Sequence, residues 1–390
     1  MNILVIPSWY ENMNNLTLGS FFREQAESLA NRGHNVYVLY VDIIRFNEIN
    51  RMVKTSKIHT YKKNGLSIYR IKKIKMPKIK EKYVYNMVKN GIEDLYLKFI
   101  FNKVKIDVMH AHSFIWGGSA GVDLGKKYDI PVMVTEHYTG YSRNLFTEDE
   151  KEIITRTINC ADKVIAVSTG LRNDLLKYTQ KSIDIIPNMV DNDLFNLSNS
   201  SYNESKSKFI FLSVCYLMYK KGIDILLRAF SQAFKQDETA ELIIAGDGEE
   251  KKNLLKICND LNIEDKVKFI GAIDRKEVAK QMRLCNCFVL PSRHETFGVV
   301  YIEALAAGKP IIGTDTDAIF DIVDCSNGIV VKKESVDELA KAMIYIKNNY
   351  RNYNQKKISE SCIEKFGKQS IARRIESNLL EVVEIKNNSD

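Results

Sequence analysis

The sequence of 390 residues lacks long hydrophobic runs, a basic leader and paired cysteines. No stretch of 18 apolar residues occurs, so no membrane-spanning helix is expected. The first ten residues, MNILVIPSWY, have the pattern of a strand and not that of a signal peptide. The seven cysteines are scattered and odd in number, which is typical of a reducing compartment. These absences predict a cytoplasmic protein.

Cofactor and metal motifs are also missing. The first strand–helix–strand pattern has no G-x-G-x-x-G, so a nicotinamide site is poorly supported. Cys285 and Cys287 have no second pair nearby and therefore do not form a zinc knuckle. His110 and His112 have the spacing of metal ligands, but no acidic or cysteine partner is evident. We therefore predict neither a metal nor an organic cofactor.

The positive charge is distributed unevenly. From Arg51 to Lys105 the chain has sixteen Lys/Arg and three acids, a net charge of +13, which leaves −5 for the rest of a chain whose total is +8. Such a block favours an anionic surface as a partner, and the cytoplasmic leaflet attracts surface lysines by about 1 kcal/mol each. Alternatively, the lysines only solvate one face. Nucleic acid is not a predicted partner, because no binding module or stacking platform accompanies the lysines.

Strand and helix patterns alternate throughout, which predicts an α/β fold with parallel sheets, and the length suggests two or more domains. Strands are predicted at Asn2–Pro7, Asn35–Val41, Leu66–Ile71, Asp107–His110, Pro131–Glu136 and Cys287–Leu290. Helices are predicted at Ser20–Arg32, Glu81–Asn102 and Ile371–Val383. The apolar stripe of the second helix favours core packing, although its lysines could also face lipid headgroups.

Three histidines follow or end two of these strands. His110 and His112 belong to the sequence HAHS, and His137 follows the strand that ends at Glu136. Ligands bind at the carboxyl ends of strands in open α/β sheets. We therefore expect the three imidazoles to gather at one edge of the first sheet.

The segment Pro291–Pro310, PSRHETFGVVYIEALAAGKP, carries the clearest chemistry. Glu295 lies on the loop before a predicted helix, and Glu303 lies inside that helix. Between them, the N–H groups of residues 297–299 have no intrahelical acceptor, and such a helix start is suited to a phosphate. Gly308 is placed to end the helix. The segment thus offers two hydroxyl acceptors that flank a place for a diphosphate.

The Glu-x7-Glu arrangement within PSxxExFGxxxxEAxAxGxP closely resembles the donor site of retaining glycosyltransferases of the family-4 type, which have the GT-B fold. The resemblance implies that Glu303 holds the ribose hydroxyls of a nucleotide-sugar and that Glu295 contacts the donor sugar. It also implies that the residues between them line the donor: Thr296, Phe297, Gly298 and Val299. The alternative is a pair of surface glutamates on an ordinary Rossmann helix.

The amino-terminal half carries two further resemblances. The segment SWYENMNNLTLGSFFREQA is similar to the first loop of bacterial polysaccharide glycosyltransferases, which implies that Gly19 lets the backbone approach the donor. A plain N-cap glycine is the alternative. His137 matches the family histidine at the sugar end of the active site, unless it is a satisfied structural histidine. The sequence PNMVDNDLF resembles the end of the first domain in these enzymes.

The carboxyl-terminal half matches the family less completely. VCYLMYKKGIDILLRAF places Lys221 at the lysine that pairs with the donor phosphates, but Tyr216 stands where the family has an arginine. Asp317 and Ala318 stand where relatives carry two glycines. Asp315 and Asp317 spell the D-x-D of the other glycosyltransferase fold, in a setting that does not suit a metal. The residues expected to act in catalysis are His137, Lys221 and Glu295.

The resemblance implies two Rossmann-like domains facing a cleft. The expected parts are an acceptor domain over 1–190, a linker over 191–207, a nucleotide-sugar domain over 208–366, and a terminal helix over 367–390 that returns to the first domain. The expected activity is that of a retaining, metal-independent hexosyltransferase acting from a nucleotide-sugar, UDP-sugar being favoured, to a saccharide acceptor. A lipid-linked acceptor, surface polysaccharide synthesis and peripheral contact with the inner leaflet are expected. A transferase with a soluble acceptor, or a silent nucleotide-sugar-binding protein, remains an alternative.

Overall fold

The computed structural model describes residues 1–11, 18–45, 58–197, 208–316 and 318–388. Contacts divide the chain into unit 1, Met1–Met189 with Ile371–Asp390, and unit 2, Val190–Ser370. Each unit is a sheet of mainly parallel strands with helices, so the predicted fold class of two Rossmann-like domains is confirmed. Asp317, most of the predicted linker and part of the first loop lie outside the described residues.

Unit 1 is built on an eight-stranded sheet in the order β3-β4-β2-β1-β5-β6-β7-β8. Its strands are β1 (Asn2–Pro7), β2 (Asn35–Arg45), β3 (Ile58–Lys63), β4 (Leu66–Lys75), β5 (Val108–His112), β6 (Val132–Glu136), β7 (Lys163–Ala166) and β8 (Asp184–Ile185). Its helices are α1 (Ser20–Asn31), α2 (Glu81–Phe99), α3 (Ser119–Tyr128), α4 (Glu148–Cys160) and α5 (Thr169–Leu175). All neighbouring strands pair in parallel except β3 and β4.

The β3–β4 hairpin is absent from the sequence-based prediction, which gives only a strand at Leu66–Ile71. The two strands pair antiparallel from Lys63 opposite Leu66 outward. Their turn is Asn64-Gly65, and both residues have positive φ, 49° and 80°. This dipeptide is the strongest short-range hairpin signal, because it adopts the left-handed backbone of a two-residue turn at little cost. The hairpin was therefore readable from the sequence.

Strand β5 ends two residues later than predicted. The prediction ends the strand at His110, whereas the ladder with β6 continues to His112 opposite Thr135. All five residues of β5 are buried. His110 and His112 therefore lie inside the sheet and not on the loop that follows it.

The carboxyl-terminal helix completes the core of unit 1. Helix α12 (Lys368–Asn387) contributes Ile371, Ile375, Leu379 and Val382 to the buried cluster that contains strands β1 and β2. Burial of such a side chain stabilises by about 1.5–3 kcal/mol relative to exposure. Glu376 on the same helix accepts hydrogen bonds from Arg32 and from His34.

Unit 2 has a six-stranded, fully parallel sheet in the order β11-β10-β9-β12-β13-β14. Its strands are β9 (Phe209–Val214), β10 (Ala240–Ala245), β11 (Val267–Gly271), β12 (Cys287–Leu290), β13 (Ile311–Thr314) and β14 (Gly328–Val331). Its helices are α6 (Ile223–Phe234), α7 (Lys251–Asp260), α8 (Arg275–Leu284), α9 (Val299–Ala306), α10 (Val336–Asn348) and α11 (Gln355–Phe366). Among the described helices, none is long and apolar enough to cross a bilayer.

Candidate active site

The signature segment folds as a buried strand, a polar loop and a helix. Strand β12 is fully buried and leads through residues 291–297 to Gly298, which caps α9 with φ 80°. A Cβ atom on Gly298 would lie 2.5 Å from the ring of Tyr301, so only glycine fits. The hydroxyl of Tyr301 donates to the carbonyl of Leu290 at 2.6 Å and ties the helix back to the strand. The start of α9 is therefore held in place by Gly298, its cap, and by Tyr301, which lies in its first turn.

Two of the predicted site residues meet in unit 2. The Nζ of Lys221 lies 2.5 Å from Oε2 of Glu295, and both side chains are largely buried. Burial acts to lower the pKa of the Lys221 ammonium, but the Glu295 carboxylate more than offsets this, so the pKa is raised. Lys221 is therefore a permanent positive charge beside the loop that precedes α9.

The turn that carries Lys221 is built against the same loop. Residues Tyr219–Lys221 form one 3₁₀ turn that ends at Gly222, whose φ is 66°. A Cβ atom on Gly222 would lie 2.1 Å from the carbonyl oxygen of Pro291. The glycine thus lets the two backbones touch, which brings Lys221 within reach of Glu295.

Arg293 locks this turn, and the sequence analysis missed it. Its guanidinium donates to the carbonyl of Tyr219 at 2.6 Å and to both carboxylate oxygens of Asp224 at 2.8 Å. It also lies 3.9 Å from the centre of the Tyr219 ring. Bidentate arginine–carboxylate pairs fix geometry as well as charge. Arg293 therefore positions the Lys221 turn, and its guanidinium is occupied by these contacts within unit 2.

Glu303 is held apart from the Lys221 pair. It lies in α9 with 9% of its surface exposed, and its Oε1 accepts from Arg275 at 3.1 Å. Arg275 is the first residue of α8 and also lies over the ring of Phe195. Glu295 and Glu303 thus each pair with a different base in unit 2, and Arg275 is a partner that the motif did not indicate.

The loop between the two glutamates divides into buried and available groups. The Phe297 side chain is core and packs against Phe366, with ring centres 5.9 Å apart, so only its backbone can face a ligand. The Thr296 hydroxyl is buried and has no hydrogen-bond partner among the described residues. The first N–H groups of α9, from Val299 onward, lack intrahelical acceptors. These groups form a set of donors beside Lys221.

Gly19 in unit 1 caps helix α1 with φ 67°. A Cβ atom there would lie 2.7 Å from the carbonyl oxygen of Trp9, so a larger residue would displace the β1–α1 loop. The carbonyl of Gly19 accepts from the N–H groups of Phe22 and Arg23. The backbone therefore requires glycine at this position. A glycine that served only as the N-cap of α1 would have the same geometry.

The three histidines gather as expected. Nδ1 of His112 lies 3.3 Å from Nε2 of His137, and Nε2 of His110 lies 2.8 Å from the hydroxyl of Thr135. Burial lowers the pKa of His110 and of His137 to about 3, and that of His112 well below its ordinary value. All three are thus neutral at physiological pH. Among the described residues, no group of three or more His, Cys, Asp and Glu side chains could hold a metal.

Glu136, next to His137, is a buried anchor that the sequence analysis missed. Its two oxygens accept from the N–H groups of His137, Tyr138 and Phe114 at 2.7–2.8 Å, and from the hydroxyl of Tyr141 at 2.9 Å. Burial raises the pKa of the carboxyl even though these donors act to lower it. Glu136 therefore joins the loops after β5 and β6.

Two protein families match this chain. Residues 18–194 match the family described as Glycosyltransferase Family 4, and residues 196–365 match Glycosyl transferases group 1. The boundary between the matches coincides with the start of unit 2 to within a few residues.

Relatives extend over most of the chain. An uncharacterized glycosyltransferase of Methanocaldococcus jannaschii is 26% identical over 373 residues, 89% of this chain and 90% of its own. The alpha-monoglucosyldiacylglycerol synthase of Acholeplasma laidlawii is 26% identical over 313 residues, 73% of this chain and 78% of its own.

Solved structures share the fold. Sucrose-phosphate synthase from Thermosynechococcus elongatus has a TM-score of 0.78 at 19% identity, covering 98% of this chain and 99% of its own. Anabaena HepE in complex with UDP and glucose has a TM-score of 0.72 at 16% identity, covering 98% and 100%. The chain therefore has the GT-B fold. It is a glycosyltransferase, with a Glycosyltransferase Family 4 match over its amino-terminal part and a Glycosyl transferases group 1 match over its carboxyl-terminal part.

Proposed function

We propose that the protein is a retaining, metal-independent glycosyltransferase that moves a sugar from a nucleotide-sugar to a saccharide hydroxyl. The observation that carries the proposal is the Lys221–Glu295 pair beside the start of α9. One fixed cation and several N–H donors in unit 2 are suited to a diphosphate leaving group. Glu303 in the same helix is suited to ribose hydroxyls, and Glu295 to the donor sugar.

The proposed reaction breaks the bond from the sugar C1 to the diphosphate oxygen and forms a bond from C1 to the acceptor oxygen on the same face. The acceptor proton passes to the departing phosphate oxygen. Lys221 and the α9 N–H groups stabilise the negative charge that develops on the diphosphate. Glu295 holds the sugar and is not assigned as a nucleophile, because it is already paired with Lys221.

His137 is assigned a hydrogen bond to the transferred sugar. Its neutral imidazole is poorly suited to general-acid chemistry, because its pKa of about 3 leaves almost no proton at neutral pH. Its Nδ1 is buried and makes no hydrogen bond of good geometry, although the Asn188 side chain lies close enough to act on the pKa of the ring, so a sugar hydroxyl would complete the bonding of this pair. Gly19 keeps the role implied by the resemblance, close approach of the backbone to the donor.

One expected cation is missing, which keeps a silent nucleotide-sugar-binding protein as the second candidate. Tyr216 occupies the arginine position of the family, and its side chain is 63% exposed. Arg293 does not replace it, since its guanidinium is bound to Asp224 and to the Tyr219 carbonyl. Slow release of UDP in the absence of acceptor would distinguish an active transferase from a silent binder.

The donor assignment is tested by ligand-induced stabilisation. UDP-sugar is favoured because structural neighbours have been solved with UDP bound. At a hundredfold excess over Kd, a UDP-sugar should stabilise the wild type by about 2.7 kcal/mol, and GDP- and ADP-sugars should stabilise it less. Glu303→Gln should lose most of this shift, whereas Glu360→Gln, at an exposed site on α11, should keep it. No shift with any nucleotide-sugar, together with no nucleotide release, would refute the proposal.

A lipid-linked acceptor is proposed from the surface between β4 and α2. Lys78, Lys80 and Lys82 are exposed there, and Met76 and Tyr83 expose 51% and 60% of their surface. Exposed lysines interleaved with apolar side chains suit an anionic bilayer surface. A lipid-bound product agrees with the name of the Acholeplasma relative, which is a synthase of the glycolipid monoglucosyldiacylglycerol. On this basis the enzyme works at the inner leaflet, in synthesis of surface polysaccharide.

Vesicle binding tests that surface. Changing Lys78, Lys80 and Lys82 together to glutamine should weaken binding to phosphatidylglycerol vesicles at low salt roughly 100-fold, since each lysine contributes about 1 kcal/mol. The same change at three exposed lysines of unit 2 removes equal charge and should have little effect: Lys332, Lys341 and Lys356. Equal losses from both triple variants, or no vesicle binding by the wild type, would favour a soluble acceptor.

A further inference from the structure

A cavity of about 370 Å³ lies in unit 1, apart from the donor residues of unit 2. The end of β1, the loops after β5 and β6 and the starts of α2 and α4 line it. Its walls include Ser8, Trp9, Ser113, Trp116, Tyr138 and Tyr141. The volume falls in the ~300–1,000 Å³ range of small-molecule sites. Nothing in the assignment of Glu295, Glu303 or Lys221 uses this cavity.

Aromatic side chains dominate its walls. Trp9 and Trp116 are the only two tryptophans of the chain, and both line the cavity. The Tyr138 ring meets Trp9 edge-on, with centres 6.5 Å apart, and exposes 42% of its residue surface. Rings of this kind offer a broad apolar face with a polar tip. The faces suit a ligand that is flat and apolar on one side and rich in hydroxyls at its edge.

The polar groups of the cavity select against negative charge. Carboxylates of Glu81, Glu136 and Glu150 line it, and none of the described lining residues is a lysine or an arginine. A phosphate or carboxylate placed there would meet like charge without a compensating cation. Glu81 does pair with Lys75 at 2.6 Å, but that lysine is not part of the lining. A neutral ligand therefore fits better than a nucleotide.

One lining hydroxyl lacks a partner. Ser113 is 1% exposed, and its Oγ makes no hydrogen bond to any described residue. A buried polar atom left unpaired is destabilising, and a hydrogen bond to a ligand hydroxyl would remove that cost. The neighbouring Ser8 differs, because its Oγ is engaged with the carbonyl of His112 and with the N–H groups of Trp116 and Gly117. The Ser113 hydroxyl is thus available to a ligand, whereas the Ser8 hydroxyl is occupied by backbone groups.

The walls are held in place before any ligand binds. Glu136 accepts from the N–H groups of Phe114 and Tyr138 and from the hydroxyl of Tyr141, which links the loops on both sides of the cavity. A preorganised pocket loses less entropy on binding. The cavity also adjoins the lysine-rich turn, since Glu81 begins α2 directly after Lys80.

We propose that this cavity binds a neutral pyranose ring of the saccharide acceptor, stacked on its aromatic walls. The inference rests on the proposed transferase function and specifies its acceptor. The ring stacks on Trp116 or Tyr138, and its hydroxyls bond to Ser113 and to the rim carboxylates. An acidic sugar or a sugar phosphate is rejected at this position, even where a phosphate elsewhere in a lipid-linked acceptor contacts the lysines.

The two tryptophans make the test direct. Wild-type protein without donor is titrated with methyl glucoside, methyl galactoside and N-acetylglucosamine, and in parallel with glucuronate and glucose 6-phosphate. At least one neutral sugar should change the tryptophan fluorescence saturably, and the anionic sugars should not. Glycerol at equal concentration controls for solvent effects. An equal response to the anionic sugars, or none to any neutral sugar, would overturn the proposal.

Variants connect binding with transfer. Trp116→Ala and, separately, Tyr138→Leu should raise the KM for acceptor about tenfold, as expected for loss of one stacking contact of about 1–1.5 kcal/mol. The UDP-sugar thermal shift, which reports unit 2, should stay at the wild-type value. Tyr345→Ala, at an exposed aromatic on α10 of unit 2, serves as the control. Unchanged acceptor KM in both variants would refute the cavity assignment, whereas absent nucleotide release by the wild type would refute the transferase function instead.

Discussion

Replacing Lys221 by methionine should lower the turnover of sugar transfer about 10²–10³-fold, the effect typical of removing one group that stabilises developing negative charge. Lys221 is the only predicted phosphate partner with a side-chain charge, because Tyr216 stands in place of the family arginine. Its raised pKa keeps it protonated over the whole working range. Turnover is measured by release of UDP at saturating donor and acceptor.

Lys220→Met is the matched control for this prediction. It makes the same change on the same 3₁₀ turn, and a loss below tenfold is expected if Lys221 alone faces the diphosphate. Equal losses at both positions would show that Lys220 compensates for the missing arginine. Wild-type turnover in Lys221→Met would contradict the assignment. In the double variant Lys221→Met/Glu295→Gln, recovery of turnover would trace the loss to the unpaired Glu295 carboxylate, whereas no recovery is expected because Glu295 also holds the sugar.

Local signals in the sequence predicted the strand and the helix that carry the donor site. The prediction of a strand at Cys287–Leu290 matches β12, and α9 ends at Ala306 with Ala307 as its C-cap, immediately before the predicted stop at Gly308. These bounds follow from glycine and from helix-capping rules, which act within a few residues. The Asn64-Gly65 turn is equally local, and its omission was an error of reading.

Partners distant in sequence could not be predicted in this way. Arg293 reaches Asp224, 69 residues away, and Glu303 meets Arg275, 28 residues away. Glu136 contacts Phe114 across 22 residues and has no motif of its own. Any arginine or glutamate in a polar loop has the same local pattern, and only the packing of the turns determines which of them is buried and bonded. A buried carboxylate at the end of a strand, as in Thr-Glu-His, was the one available hint.

The buried histidines predict strong acid sensitivity of unit 1. In the unfolded chain a histidine has a pKa near 6.5, whereas His110 and His137 have pKa values of about 3 in the folded state. Their contribution to stability is therefore fully present above pH ~6.5 and is lost as the pH falls toward 3, because only the unfolded state binds the proton. At pH 5 each should cost about 2 kcal/mol. His112 adds in the same direction, while the raised pKa of Glu136 opposes it.

Urea unfolding followed by tryptophan fluorescence reports this loss selectively, since Trp9 and Trp116 both lie in unit 1. Between pH 7.5 and 5, the free energy of unfolding should fall by about 4 kcal/mol from His110 and His137 together, before the smaller effects of other groups. His110→Gln can still meet the Thr135 hydroxyl and should reduce that fall by about 2 kcal/mol, because glutamine does not titrate. His294→Gln changes a histidine of unit 2 and should leave this pH dependence unchanged, because both tryptophans report on unit 1. If His110→Gln and the wild type lose equal stability on acidification, then His110 is not held neutral by burial, and the neutral His137 required for sugar binding loses its physical basis.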